Sequence, residues 1–140
     1  MAISAESKKT VNVVAAAIVR NGFVLATQRG YGDFEGGWEF PGGKIEPHET
    51  PEEALIREIL EELKVDISIS SHLVTVEHDY DTFHLSMRCY VCSMIEDHVT
   101  LLEHHAAKWL NASDIDSVDW LPADIKVVDA IKSTKLLSDI

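Results

Sequence analysis

Gly42-Gly43-Lys44-Ile45-Glu46-Pro47-His48-Glu49-Thr50-Pro51-Glu52-Glu53-Ala54-Leu55-Ile56-Arg57-Glu58-Ile59-Leu60-Glu61-Glu62-Leu63 is the stretch on which the fold turns. After the glycine pair it carries a helix-start signal. Thr50 caps, Pro51 sits at the first helical position, and Glu53, three residues after Thr50, completes a capping box. The composition from Pro51 to about Leu63 favours helix, with no glycine and no further proline. At about 100° per residue, Leu55, Ile56, Ile59, Leu60 and Leu63 share one apolar arc that is expected to face a core. Glu58, Glu61 and Glu62 share the other side, where neighbours three and four apart lie at roughly 5–6 Å.

Three carboxylates on one face repel one another, at a few tenths of a kcal/mol per pair. A solvated helix face also looks acidic, but it usually intersperses lysines. A divalent cation gives the cluster a purpose, because Mg²⁺ takes oxygen ligands and keeps waters that a substrate displaces. Mn²⁺ is an acceptable substitute. Arg57 is placed to pair with Glu53 or Glu61 and so to hold a carboxylate still.

The spacing has a family pattern. From Gly43, five residues lead to Glu49, seven more to Arg57-Glu58, then an apolar residue, one more, and Glu61-Glu62. This resembles the Nudix box, Gly-x5-Glu-x7-Arg-Glu-U-x-Glu-Glu-x-Gly-U with U apolar. Ile59 and Val65 fill the apolar positions, and Lys64 stands where the family has its last glycine. That glycine ends the helix in a left-handed turn, so Lys64 bears on the helix exit and leaves the acidic face intact. The resemblance implies an α/β/α sandwich, with a mixed sheet flanked by this helix and a C-terminal one. It also implies that the Gly42 carbonyl joins Glu58, Glu61 and Glu62 as metal ligands. MutT-type members carry a further glutamate six residues before a tryptophan, and Glu103 with Trp109 has that spacing. By resemblance Glu103 is a further ligand or the general base.

The rest of the chain agrees. A length of 140 residues, 46% hydrophobic and 26% charged, is that of one domain with a real core, residues 1–9 forming a flexible leader. A net charge of −12 argues against nucleic acid polymers as partners. It leaves a phosphate-bearing small molecule as partner only if bound cations invert the local field. No apolar run reaches the ~20 residues of a membrane span. Val11–Val19 imitates a signal-peptide core but is read as a buried strand. Cys89 and Cys92, on one strand, face opposite ways and cannot chelate together. They are packing residues of a reducing, cytoplasmic compartment.

Strands are expected at Val11–Val19 and Phe23–Gln28, joined by Arg20-Asn21-Gly22. Others are expected at Val65–Ser70, Leu73–Tyr80, Phe83–Ile95 and Ala106–Leu110. A helical turn follows, capped by Asn111 or Ser113. A second amphipathic helix spans Ala123 to about Leu137, with Ile125, Val128 and Ile131 inward.

Arg29 and Lys44 are the cations best placed for phosphates. Phe34, Trp38 and Phe83 are candidates to stack on a base. His104 and His105 are candidate metal or proton carriers. Leu121-Pro122-Ala123-Asp124 resembles the segment that reads the base in MutT-type enzymes. Asp124, as a carboxylate, accepts hydrogen bonds only and suits an exocyclic amine; it equally fits a cap of the last helix.

The residues are most similar to CTP pyrophosphohydrolases of the MutT group. That implies Mg²⁺-dependent hydrolysis of CTP, dCTP or a modified cytidine nucleotide to monophosphate and pyrophosphate. Sanitation of 8-oxo-dGTP is the alternative. A dinucleoside polyphosphate or nucleotide sugar comes third, with Tyr80 pointing toward the former. A non-catalytic nucleotide sensor is a reading of another class, although such domains tend to lose box glutamates that this chain keeps. A homodimer through an edge strand or the second helix stays open.

Overall fold

The computed structural model describes residues 8–95 and 104–139. Nine main elements follow in order: β1 Lys9–Arg20, β2 Phe23–Arg29, β3 Trp38–Glu39, β4 Gly42–Lys44, α1 Pro51–Leu63, β5 Ile67–Asp79, β6 Phe83–Met94, β7 His104–Leu110 and α2 Pro122–Thr134. One 3-10 turn, Ile115–Ser117, precedes α2. The main path of the sheet runs β3-β2-β1-β6-β5, with β4 joined to β1 and β7 to β2. The β1–β6 pair is parallel and the others antiparallel, so the sheet is mixed.

The run Val13-Val14-Ala15-Ala16-Ala17-Ile18 explains the layering. Val14, Ala16 and Ile18 pack with Ala54, Leu55, Ile59 and Leu63 of α1. Ala15 and Ala17 pack with Ala123, Val127, Val128 and Ile131 of α2. A strand covered on both faces has no need of alternation and reads as continuously apolar. The α/β/α sandwich expected from the sequence is therefore observed.

Some details differ from expectation. The 1–9 leader is shorter than expected: Lys9 opens β1, and Lys8 Nζ donates to the Tyr80 carbonyl at 2.8 Å. Residues 1–7 lie outside the described residues. The two strands expected at 65–80 are one, β5, with register shifts between Ile69 and Ser71 and between His72 and Val74. Bulges let the strand bend without ending, which a sequence pattern shows as a break. Ile56 and Leu60 are 41% and 44% exposed. The sheet covers an arc of α1 narrower than its apolar arc. On α2, Ile125 is exposed while Val127 and Asp124 turn inward.

Neither proposed cap holds the 3-10 turn. Asn111 Oδ1 accepts instead from Ser113 N and Oγ, which closes the preceding turn. Lys64 adopts the left-handed conformation (φ 56°, ψ 39°) of the family glycine, and its N–H reaches the Leu60 carbonyl at 3.1 Å. Asn21 and Gly22 both have positive φ, as a two-residue hairpin loop of this twist requires. Cys89 and Cys92 lie in the two different core layers, and burial pushes both thiols up. No helix among the described residues is long and apolar enough to cross a membrane.

Candidate active site

The capping box forms as read. Glu53 N donates to Thr50 Oγ1 at 3.1 Å, and Thr50 N donates to Glu53 Oε1 at 2.9 Å. Glu53 is thereby used at the helix start and is not the partner of Arg57. The guanidinium instead joins Glu49 (2.6 and 3.0 Å), the Lys44 carbonyl (3.1 Å), Glu58 (3.0 Å) and Glu61 (3.1 Å). One side chain thus fastens the loop before α1 to the acidic face of α1. Arg57 holds Glu49 below the usual carboxylate range and is itself held protonated.

The three box glutamates do not share one environment. Glu61 is 60% exposed at its side chain and faces Arg57, whereas Glu58 is only 16% exposed. Burial raises the pKa of Glu58 against the pull of Arg57, and its carboxyl lies within hydrogen-bonding reach of Glu62. Among the described residues, no three His, Cys, Asp or Glu side chains are already gathered as a metal-ligating group. Arg57 draws Glu61 and one oxygen of Glu58 to itself. Glu103 lies outside the described residues, as do the side chains of His104 and His105.

The Glu58–Glu62 pair nonetheless fits a hard divalent cation. It offers oxygen donors alone, and its two like charges need neutralising. The backbone also makes room for it. A Cβ on Gly43 would lie 2.3 Å from the Glu58 carboxyl carbon, so the bare glycine is what lets that carboxylate seat. Gly42 has a different reason. A Cβ there would lie 1.9 Å from the Val14 carbonyl oxygen, so its bareness serves β1–β4 pairing.

Beside this face opens a cavity of about 150 Å³. It is lined by Phe83, Leu85 and Met87, alternate residues of β6, and by Phe40, Tyr80 and Leu121. Gly42, Gly43 and Asp124 belong to the same lining. Phe34 stands at this cavity, half-exposed, 5.3 Å from the Tyr80 ring and in the left-handed region (φ 65°). Phe83 also lines it, stacked on Tyr80 at 5.0 Å. Trp38 does not line it. The Trp38 ring is 8% exposed in the core, with Lys108 Nζ 5.3 Å from its centre. Phe40, stacked on Trp120 at 4.5 Å, is the aromatic that the segment Trp38-Glu39-Phe40 sends to the cavity.

Asp124 is not a helix cap. The N-cap of α2 is Leu121, and Asp124 Oδ1 accepts from Phe40 N at 3.0 Å. That bond ties the start of α2 to the end of β3. Burial lifts the carboxyl to about 8, with the Phe40 N–H opposing. Below that pH Asp124 is a carboxylic acid that donates as well as accepts, which corrects the acceptor-only expectation.

Below about pH 4 folded and unfolded chains both hold the Asp124 proton, and the stabilising contribution is complete. Between there and about 8 only the folded chain holds it, so stability falls as pH rises. Asp124→Asn keeps an oxygen for Phe40 and removes the titration. Its Tm relative to the parent chain is expected to climb from pH 5 to pH 8 in thermal melts.

Arg29 is not a free cation. Its Nη2 and Nε bind Glu39 at 2.6 and 3.2 Å, and Nη1 donates to the Asp33 carbonyl at 2.9 Å. A second, open depression is lined by Asp33, Glu62, Arg29, Glu39 and Gly42. Lys44 is exposed at its side chain. The sequence marks neither Glu39 nor Met87 as a site residue, and Tyr80, there only a pointer toward dinucleoside polyphosphates, lines the cavity. The Tyr80 hydroxyl accepts from the Ala123 N–H. The period-two pattern Phe83-Leu85-Met87 was the available signal for the cavity wall. Nothing in a short Trp-Glu strand marks Glu39.

Similarity to known proteins agrees with this geometry. The NUDIX domain model matches residues 9–131. The chain is 32% identical to the CTP pyrophosphohydrolase of Escherichia coli (strain K12) over 130 residues, 91% of this chain and 95% of that protein. It is 37% identical to the 8-oxo-dGTP diphosphatase of Proteus vulgaris over 95 residues, 66% of this chain and 85% of that protein. The crystal structure of the MutT NUDIX hydrolase from Burkholderia pseudomallei superposes with a TM-score of 0.81 at 26% identity, covering 89% of this chain and 99% of that one. Nudix hydrolases generally need divalent metal ions and act on small nucleotide substrates. The chain belongs to the Nudix family and is a Nudix hydrolase.

Proposed function

We propose that the chain hydrolyses a cytidine triphosphate, CTP, dCTP or a modified form, to the monophosphate and pyrophosphate with Mg²⁺ as cofactor. The observation that carries this is one cavity lined both by Gly43, against which the Glu58 carboxyl is seated, and by buried Asp124. Glu58, Glu62 and the Gly42 carbonyl are the groups proposed to hold the ion, with Glu61 and Glu103 as further candidates. When bound, Mg²⁺ neutralises phosphate charge and lowers the pKa of water.

The residues supply the rest. Arg57 positions Glu49, Glu58 and Glu61 together. Glu58, held by Arg57 and beside Glu62, is the carboxylate proposed to take the proton from water. Water adds to phosphorus, the bridging oxygen leaves with pyrophosphate, and the proton goes to a carboxylate. The neutral Asp124 carboxyl matches cytosine. Its O–H faces the ring N3, and its carbonyl accepts from the exocyclic amine. Phe34, Phe40 and Phe83 offer faces to the ring.

The second reading is oxidised guanine nucleotide, favoured by the name of the Proteus vulgaris relative. Pyrophosphate release across a triphosphate panel, with and without Mg²⁺, tests both. Turnover of CTP or dCTP that vanishes on chelation is expected. Turnover confined to 8-oxo-dGTP rejects the cytidine assignment, and pyrophosphate release from no triphosphate rejects the hydrolysis.

A further inference from the structure

We infer that Glu39 reads the sugar of the nucleotide, its carboxylate accepting a hydrogen bond from a ribose hydroxyl. This rests on the nucleoside triphosphate reading above. A nucleotide has three parts in line, and the sugar is the middle one. The cavity reaches Asp124, and the neighbouring depression reaches Glu62. Arg29, Glu39 and Gly42 line both. Of these three, only Arg29 and Glu39 have side chains. A molecule with its base in the cavity and its phosphates toward Glu62 must pass these two, and the part that passes is the sugar.

The chemistry of the pair agrees with that position. Arg29 grips both oxygens of Glu39, at 2.6 and 3.2 Å, and the side chain of Glu39 is only 16% exposed. The carboxylate is therefore fixed in direction. Each of its oxygens has a second lone-pair site beyond the one Arg29 uses. A negative oxygen so placed repels a phosphate but accepts readily from a neutral hydroxyl. Arg29 is occupied in aiming it, which explains why the best-placed arginine is not free. A site built to bind a substrate hydroxyl rejects the analogue that lacks it.

The test compares kcat/KM for a ribonucleoside triphosphate with its 2′-deoxy and 3′-deoxy analogues. CTP is used, or whichever ribonucleotide yields most pyrophosphate. One deoxy analogue is expected to fall about tenfold or more below the parent, the worth of one hydrogen bond to a charged group. In Glu39→Ala that ratio is expected to collapse to within about twofold, by the loss of the same hydrogen bond. Glu39→Gln, of the same shape, is expected to lie between, and it carries the test if the alanine variant does not fold. A merely structural role for Glu39 would lower all three substrates together and leave the ratio alone. Equal turnover of all three by the parent enzyme, or discrimination surviving in both variants, overturns the inference. If no triphosphate is hydrolysed at all, the nucleotide reading falls and takes this one with it. A flat ratio with good turnover removes the sugar contact alone.

Discussion

Glu62→Gln is expected to lower kcat by two to three orders of magnitude while leaving the fold intact. Glutamine matches glutamate in size but brings no charge to the pair that Glu62 makes with Glu58. Catalytic electrostatics at a metal-dependent phosphoryl site is worth several kcal/mol, and each 1.4 kcal/mol is a factor of ten in rate. Glu58→Gln is expected to do as much, since it removes the other charge of that pair and the proposed proton acceptor. Glu61→Gln should cost less, because that side chain is mostly exposed and engaged by Arg57. Stability separates chemistry from damage. Relieving repulsion between two carboxyls should leave Tm unchanged or slightly raised. Steady-state pyrophosphate release at saturating substrate, beside thermal melts, checks both. Full activity in Glu62→Gln would remove it from the mechanism.

Adjacent glycines are expected to fail in opposite ways. In Gly43→Ala the new methyl meets only the end of the Glu58 side chain, at 2.3 Å. A flexible side chain swings aside cheaply, so the protein should fold with little loss of stability. Activity should fall about a hundredfold, since a displacement of ~1 Å at a catalytic group costs that much. In Gly42→Ala the methyl meets the backbone of β1, 1.9 Å from the Val14 carbonyl oxygen and 2.8 Å from Ala15 Cα. Neither can move without breaking the β1–β4 ladder. Overpacking against backbone costs about 3 kcal/mol. Chemical denaturation of both variants, with kcat of whatever remains folded, reads the contrast. Two similar outcomes would mean that the glycines share one role.

Much of this was legible in the residues. The helix 51–63 and its cap followed from Thr50, Pro51 and Glu53, because those signals act within a single turn. The double cover of β1 followed from its unbroken apolar run. What stayed hidden depended on contacts distant in sequence. From sequence Arg29 is a cation placed for phosphates, because Glu39, ten residues away across the β2–β3 pair, gives no local sign of being its partner. Asp124 was read as a cap or a charged acceptor because its burial depends on Phe40, 84 residues away. Trp38 and Phe40 have the same parity on a short strand, and only the packing of Trp120 and Lys108 decides which ring meets the cavity. Ile56 and Leu60 were assigned to the core because periodicity gives the width of an apolar arc, not the width of the surface that covers it.

The bond from the Phe40 amide to Asp124 has a consequence for changes at Asp124. Glu58, Glu61 and Glu62 belong to one short helix, while Tyr80, Phe83 and Asp124 reach the chamber from a later hairpin and the last helix. Phe40 stands two residues before the glycine pair, so its amide joins the C-terminal helix to the lead-in of the acidic one. A change at Asp124 is therefore felt twice, once in what the chamber accepts and once in how firmly the strand leading to the glycines is moored.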